Sequence, residues 1–369
     1  MRRLLIPLAA MLAALILPCA AGEGDQAQPG GGGAAPTAEQ VVSLAISEAI
    51  RPGFDGYAAA TADLATAVGA ACAAPSDATL AAAREAFGAT VIAWSRIELY
   101  RLGPLLENNR AEAILFWPDR KGIALKQVQA ALVQHDETAA SATTLVRKSV
   151  AMQGFGALEF ILFGNGAEAL ATGDEYRCRY ALAIATLQQG TAAAMAAEWA
   201  DPAGISQRLL APSDTDPEYR SYREVAEELT GLLAHGVELI RDQRLLPFLG
   251  RDGAAPKPKS ALFWRSGMTV PSIAANFAGL ADLLQRSRLA EATAAENLWV
   301  GNGAGFEFSN AARAAALVTD PVEAALADPR QKQALDYLVI VSRSLDTLLG
   351  ENLAAALGLS VGFSSLDGD

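Results

Sequence analysis

Helix-forming residues dominate this chain of 369 residues, and this bias limits the choice of fold more than any other feature. More than one residue in five is alanine, and leucine is also frequent. Both have high helix propensities. Apolar side chains recur every three or four residues in most segments, as in 77–102, 139–163 and 331–357. Signals for β-hairpins are almost absent. The sequence therefore predicts an all-α fold built from helical bundles.

Composition and charge exclude two broad classes of protein. Hydrophobic residues make up 51% of the chain and charged residues only 19%, which is too apolar for a disordered protein. The formal net charge is -12, whereas a protein that binds a phosphate backbone needs a basic face. We therefore expect no nucleic-acid partner.

A proline-rich break at 201–217 suggests two domains. It separates an N-terminal helical bundle, residues 38–205, from a C-terminal helical bundle, residues 206–369. The two halves are similar in length and in the number of predicted helices. This similarity suggests a duplicated up-down bundle.

The N-terminus has the features of a secretory signal peptide, residues 1–22. Arg2 and Arg3 precede an apolar run that is too short to span a membrane, and small residues follow it. Residues 23–37 are rich in glycine and proline and predict a flexible leader. No later stretch is long and apolar enough to span a membrane, so we predict a periplasmic protein without a transmembrane span after cleavage. The less favoured alternative is a lipid anchor on Cys19.

Cys72 and Cys178 remain after cleavage. An oxidising compartment favours a disulfide between them. The alternative is two buried free thiols.

Common catalytic and metal-binding motifs are missing from the sequence. The two histidines are His135, in a polar patch, and His235, which shares a helical face with Glu238. The second pair is a weak candidate for metal ligands, and an ordinary polar surface is the favoured interpretation. The C-terminal run 364–369 gathers carboxylates that suit hard cations, although chain ends are usually mobile.

Five segments in order resemble the imelysin family of exported bacterial proteins. In the segment 150–164, Gly154 and Glu159 match the family signature Gly-x-His-x-x-Glu, but Gly156 replaces its histidine. The other matching segments are 94–104, 116–120, 263–267 and 362–369. The resemblance covers roughly residues 38–369.

The resemblance implies an all-α fold of two helical bundles with a site between them. It also implies a role in iron uptake, iron or another metal as a ligand, and iron-uptake or envelope components as partners. We therefore expect a binding or accessory protein rather than an enzyme. The alternatives are a peptidase-type hydrolase that retains Glu159, since the family carries a peptidase label, and an envelope interaction scaffold.

The predicted binding site centres on Glu159, which lies in an apolar run. A buried carboxylate is costly unless it is paired, and Arg96 or Arg101 are the predicted partners. The full set of candidate binding residues is Arg96, Glu98, Arg101, Gly154, Gly156 and Glu159. The alternative is a purely structural buried ion pair. The loss of the histidine at Gly156 argues against a water-activating metal centre, because a lone carboxylate is a poor transition-metal site.

Overall fold

The computed structural model describes residues 34–119, 121–251 and 253–359. Its regular structure is helical, with no β-strand in these ranges, which confirms the predicted all-α fold. No helix among them is long and apolar enough to cross a membrane. The predicted signal peptide, Cys19 and the C-terminal carboxylates lie outside the described residues. The α-helices are, in chain order, α1 Ala38–Leu44, α2 Arg51–Ala73, α3 Asp77–Ile97, α4 Arg110–Ile114, α5 Ile123–Gln134, α6 Ala142–Leu145, α7 Phe155–Phe163, α8 Glu175–Ala200, α9 Ile205–Leu210, α10 Tyr222–Leu239, α11 Leu246–Leu249, α12 Thr269–Ser287, α13 Leu298–Ala316, α14 Val322–Ala327, α15 Pro329–Asp346 and α16 Ala354–Leu357.

Helix α1 begins at a residue that caps it. The Thr37 side chain accepts a hydrogen bond from the backbone N–H of Gln40, and the Gln40 side chain accepts one from the backbone N–H of Thr37. This reciprocal pair satisfies two N–H groups that the first turn of α1 cannot pair. A π-helical turn, Ala45–Ile50, then connects α1 to α2 without a break.

The first group of helices is formed by α2, α3 and α8, in which α3 and α8 both pack against α2. A disulfide joins Cys72 on α2 to Cys178 on α8, with a Cα–Cα distance of 5.5 Å. The predicted bridge is therefore confirmed. It closes a loop of more than a hundred residues and fixes two helices that are distant in sequence.

The second group consists of α10, α12, α13 and α15. The first helix of the chain, α1, packs against α10 and α12 of this group. An N-terminal element thus lies among helices of the second half. The division into domains 38–205 and 206–369 stays a prediction.

The two groups of helices meet where α3 crosses α12. A Cβ atom at Gly279 would lie 2.0 Å from the backbone oxygen of Arg96, so only glycine allows this approach. The hydroxyl of Tyr100 donates a hydrogen bond to the backbone oxygen of Gly279, at 2.6 Å. The missing side chain and this hydrogen bond together hold the two backbones close.

Aromatic side chains form the core next to this crossing. The ring of Phe155 is central, and its centroid lies within 6.4 Å of the ring centroids of four neighbours, Tyr57, Phe87, Trp94 and Phe263. The rings of Phe87 and Phe263 also contact each other. These five side chains come from both halves of the sequence: Tyr57, Phe87, Trp94, Phe155 and Phe263. Such ring pairs add stability beyond the area they bury. Phe263 therefore anchors its segment to helices that precede it by more than a hundred residues.

Candidate ligand-binding site

Helix α7 begins directly after Gly154 and carries Gly156 and Glu159, two of the predicted binding residues. Most of its nine residues are buried, and Gly156 is the only one that is exposed. The guanidinium groups of Arg84 and Arg177 donate hydrogen bonds to the carbonyl oxygens of Leu162 and Ile161 at its C-terminal end. These bonds satisfy carbonyls that the helix leaves unpaired and place positive charge where the helix dipole favours it.

Gly154 allows α7 to begin close to α4. A Cβ atom at this position would lie 2.3 Å from the backbone oxygen of Ile114. Gly154 is therefore required for packing and does not line a site. Gly156 differs, because a Cβ atom there would meet nothing within 4 Å.

Glu159 is a buried carboxylate with a relative exposure of 4%. Its Oε1 atom accepts two hydrogen bonds from Ser266, one from the backbone N–H at 2.9 Å and one from the hydroxyl at 2.8 Å. Burial raises the pKa of Glu159, and the two bonds from Ser266 oppose that shift, with a further contribution from the charge of Arg265. The two hydrogen bonds partly compensate for the loss of water around this carboxyl group.

The segment that holds Ser266 also supplies an aromatic ring and a cation. Phe263 is buried in the aromatic core, and Trp264 and Arg265 follow it on the cavity side. The guanidinium of Arg265 lies 4.4 Å from the centroid of the Trp264 ring and 5.5 Å from that of Phe160. Burial lowers the pKa of Arg265, and the charge of Glu159 opposes that change.

A cavity of about 620 Å³ opens beside Gly156 and Glu159. This volume lies within the range typical of small-molecule sites. Its walls come from α5, α7 and the loops before α5 and before α12. The lining residues are Leu115, Phe116, Trp117, Pro118, Asp119, Gly122, Ala124, Leu125, Val128, Gly156, Glu159, Phe160, Pro247, Lys257, Lys259, Ser260, Ala261, Leu262, Phe263, Trp264 and Arg265.

The loop before α5 forms one wall of the cavity. The indole N–H of Trp117 donates a hydrogen bond to the backbone oxygen of Gln243, at 3.1 Å. Asp119 accepts backbone hydrogen bonds from Ile123 and Ala124, one with each carboxylate oxygen. Asp119 therefore serves to start helix α5.

The prediction that Arg96 or Arg101 pairs with Glu159 is wrong. Arg96 pairs with Asp282 on α12, and Arg101 is exposed. A serine hydroxyl and a backbone N–H bind the carboxylate instead, and sequence patterns give no sign of such donors. Neither arginine lines the cavity.

Glu98 is also placed away from the cavity. It forms a buried ion pair with Arg244, with 2.8 Å between Oε2 and Nη2, and accepts a hydrogen bond from Asn276 at 2.6 Å. Asn276 also donates to the backbone oxygen of Ser95. This cluster joins α3, α12 and the π-helical turn after α10, Ile240–Leu245. Of the six candidate binding residues, only Gly156 and Glu159 line the cavity, and the ligand site itself stays a prediction.

Several residues that line the cavity are not predicted as site residues by the sequence. Trp117 and Trp264 lie in segments that resemble the family, but no motif linked them to Glu159. Lys257 and Lys259 lie in a proline-rich loop without periodicity. Their spacing as a basic pair around Pro258 is the one signal that could have drawn attention to them.

The two histidines lie elsewhere. The ring of His135 stacks on that of Tyr176, with 4.8 Å between ring centroids. The Nδ1 atom of His235 lies 3.4 Å from the Oε2 atom of Glu238. Across the described residues, no three or more His, Cys, Asp or Glu side chains are grouped as a metal site requires. The donors around the cavity therefore do not fit a transition-metal ion.

The family model named Imelysin (Peptidase_M75) matches residues 50–349. The chain belongs to the imelysin family. A search of the curated proteins finds no match.

Two solved structures share the imelysin fold. An imelysin-like protein from Psychrobacter arcticum 273-4 aligns with a TM-score of 0.72 and 20% identity, covering 89% of this chain and 98% of its own. A candidate iron-regulated protein A precursor from Parabacteroides distasonis ATCC 8503 aligns with a TM-score of 0.68 and 14% identity, covering 86% of this chain and 97% of its own. At these identities the likeness concerns the fold.

Proposed function

We propose that this imelysin-family chain is an exported accessory protein of iron acquisition, which binds its ligand in the cavity beside Gly156 and Glu159. The observation that carries this proposal is the cavity itself, which opens beside helix α7, inside the range that the Imelysin model matches. A structural relative is named as iron-regulated, which supports the link to iron.

Residues from both predicted domains line the cavity. Trp117 and Phe160 come from the first half of the chain, and Lys259 and Trp264 from the second. A ligand in the cavity would contact both halves, in agreement with the predicted site between two bundles.

Export to the periplasm is part of the proposal. The signal-like N-terminus supports it, and so does the disulfide between Cys72 and Cys178, since such bonds persist in oxidising compartments. The partners would be iron-uptake or envelope components.

The experiment is calorimetric titration of the purified mature chain with ferric citrate and with haem. We expect one of them to bind at micromolar concentration. Gly156→Phe should abolish this binding, because the new ring would enter the cavity. Gly190→Phe is the matched control, because Gly190 is an exposed helical glycine with open space that does not line the cavity.

Two results would count against the proposal. Failure of both iron compounds to bind the wild-type chain would remove the link to iron. Equal binding by wild type and Gly156→Phe would place the ligand site elsewhere.

A further inference from the structure

We infer that the cavity beside Gly156 binds an organic anion with a flat apolar part, and that it does not hold a bare metal cation. The inference rests on the proposed function, because it takes this cavity as the ligand site. It goes further by giving the ligand its charge and its shape.

Among the described residues, two carboxylates line the cavity, and the protein already uses both of them. Both oxygens of Asp119 accept backbone hydrogen bonds at the start of α5. Glu159 accepts both donors of Ser266 with its Oε1 atom, and burial raises the pKa of this group, which favours its neutral form. Neither side chain offers the set of free anionic donors that a metal cation needs.

Among the described residues that line the cavity, positive charge exceeds negative charge. Lys257, Lys259 and Arg265 line it, against the two carboxylates just described. None of these three cations takes part in an ion pair in the part of the chain that the structure describes. The whole chain has a net charge of -12, so the excess of positive charge at the cavity is opposite in sign to the charge of the chain. Such an excess attracts anions and repels metal cations.

Aromatic rings accompany these cations. Lys259 lies 5.7 Å from the centroid of the Trp264 ring, on which Arg265 also rests at 4.4 Å. Trp117 and Phe160 add two further rings to the walls. Ring faces bind flat apolar groups, and a guanidinium binds carboxylates and related anions. The combination therefore fits a ligand that is flat and apolar in one part and anionic in another.

The glycine at position 156 acts in the same direction. Gly156 has open space where a side chain would begin, so it leaves volume for the ligand. An imidazole there would fill part of that volume and add a metal donor. A glycine at this position thus offers no cation ligand and leaves room for an organic anion.

The experiment compares 2-naphthoate with 2-naphthamide, which has a similar shape and no charge, by calorimetry on the mature chain. We expect 2-naphthoate to bind at least about tenfold more tightly, because it pairs with the cations. The double variant Lys257→Gln/Lys259→Gln should lose most of this preference. Both lysines are exposed, so this variant should fold. Lys121→Gln/Lys126→Gln removes two other exposed charges outside the cavity and is the matched control.

Equal affinity for the two compounds, or no binding of either, would overturn the inference. So would binding of ferrous or zinc ions that Glu159→Gln abolishes. The proposed function fails separately, when neither ferric citrate nor haem binds. Preference for 2-naphthoate without binding of an iron compound would leave the anion site standing and remove the role in iron acquisition.

Discussion

At the scale of single residues, two glycines of one signature have opposite roles. Gly154 leaves room for the backbone of α4, whereas Gly156 faces the open cavity. The sequence placed both in one motif and could not tell them apart, because the difference depends on what lies opposite each residue in space. The partner of Glu159 is not predictable from the sequence either, because it also depends on what lies opposite in space. Its donors come from Ser266, which follows it by more than a hundred residues.

Alanine substitutions separate the two glycines. Gly154→Ala should lower the free energy of unfolding by ~2–3 kcal/mol, because its Cβ would overlap a carbonyl oxygen that belongs to rigid backbone. Gly156→Ala should be neutral or stabilise by up to ~0.5 kcal/mol, because alanine is the better helix former. Urea denaturation of both variants measures the difference. Equal effects of the two substitutions would contradict this assignment.

The buried carboxyl of Glu159 should make stability depend on pH. Its pKa is raised by burial, so the folded chain holds this proton more tightly than the unfolded chain does. Stability should therefore fall as pH rises above about 4.5, the ordinary value, and level off above the raised pKa. Glu159→Gln retains an acceptor for Ser266 and removes the titration. We expect wild type to lose stability relative to this variant across that window. A difference that is constant with pH would refute the shift.

At the scale of elements, the contact between α3 and α12 joins the two groups of helices. It depends on Gly279, which allows the close approach, and on the buried cluster of Glu98, Arg244 and Asn276. The long helices were predictable from helix formers and periodicity. Their pairing was not, because it depends on small residues and buried polar groups with no period of their own.

The ion pair between Glu98 and Arg244 gives a test at this scale. Glu98→Gln should lower the free energy of unfolding by ~3 kcal/mol, because it leaves a buried guanidinium without its counter-charge. Glu85→Gln removes an exposed carboxylate from α3, the helix that Glu98 directly follows, and should change the free energy of unfolding by less than ~0.5 kcal/mol. Chemical denaturation compares the two. A loss below ~1 kcal/mol for Glu98→Gln would show that the pair is not structural.

At the scale of the whole molecule, the fold brings distant segments together around one cavity. The sequence predicted the helical class, the disulfide and the family. It did not predict the walls of the cavity, because the loop with Lys257, Lys259 and Trp264 has no helical periodicity and contains only one short 3-10 turn, Pro258–Ser260. That loop is positioned by Phe263, whose ring packs among aromatic side chains of the first half.

The disulfide contributes to the stability of the whole molecule. It closes a loop with a sequence separation of 106. Restricting so long a loop in the unfolded chain is worth ~4–5 kcal/mol at most. The double variant Cys72→Ala/Cys178→Ala should lose much of this stabilisation. In urea denaturation, the wild-type chain with its disulfide reduced should have the same free energy of unfolding as the double variant. A loss below ~1 kcal/mol would contradict this account.

The central claim is that one cavity binds an iron-bearing ligand through its anionic groups. Competition calorimetry tests it most directly. The iron compound that binds, ferric citrate or haem, is titrated into the mature chain with and without saturating 2-naphthoate. The claim predicts that 2-naphthoate raises the apparent Kd of the iron compound by a factor of one plus the ratio of the free 2-naphthoate concentration to the Kd of 2-naphthoate. An unchanged affinity for the iron compound while 2-naphthoate is bound would contradict it.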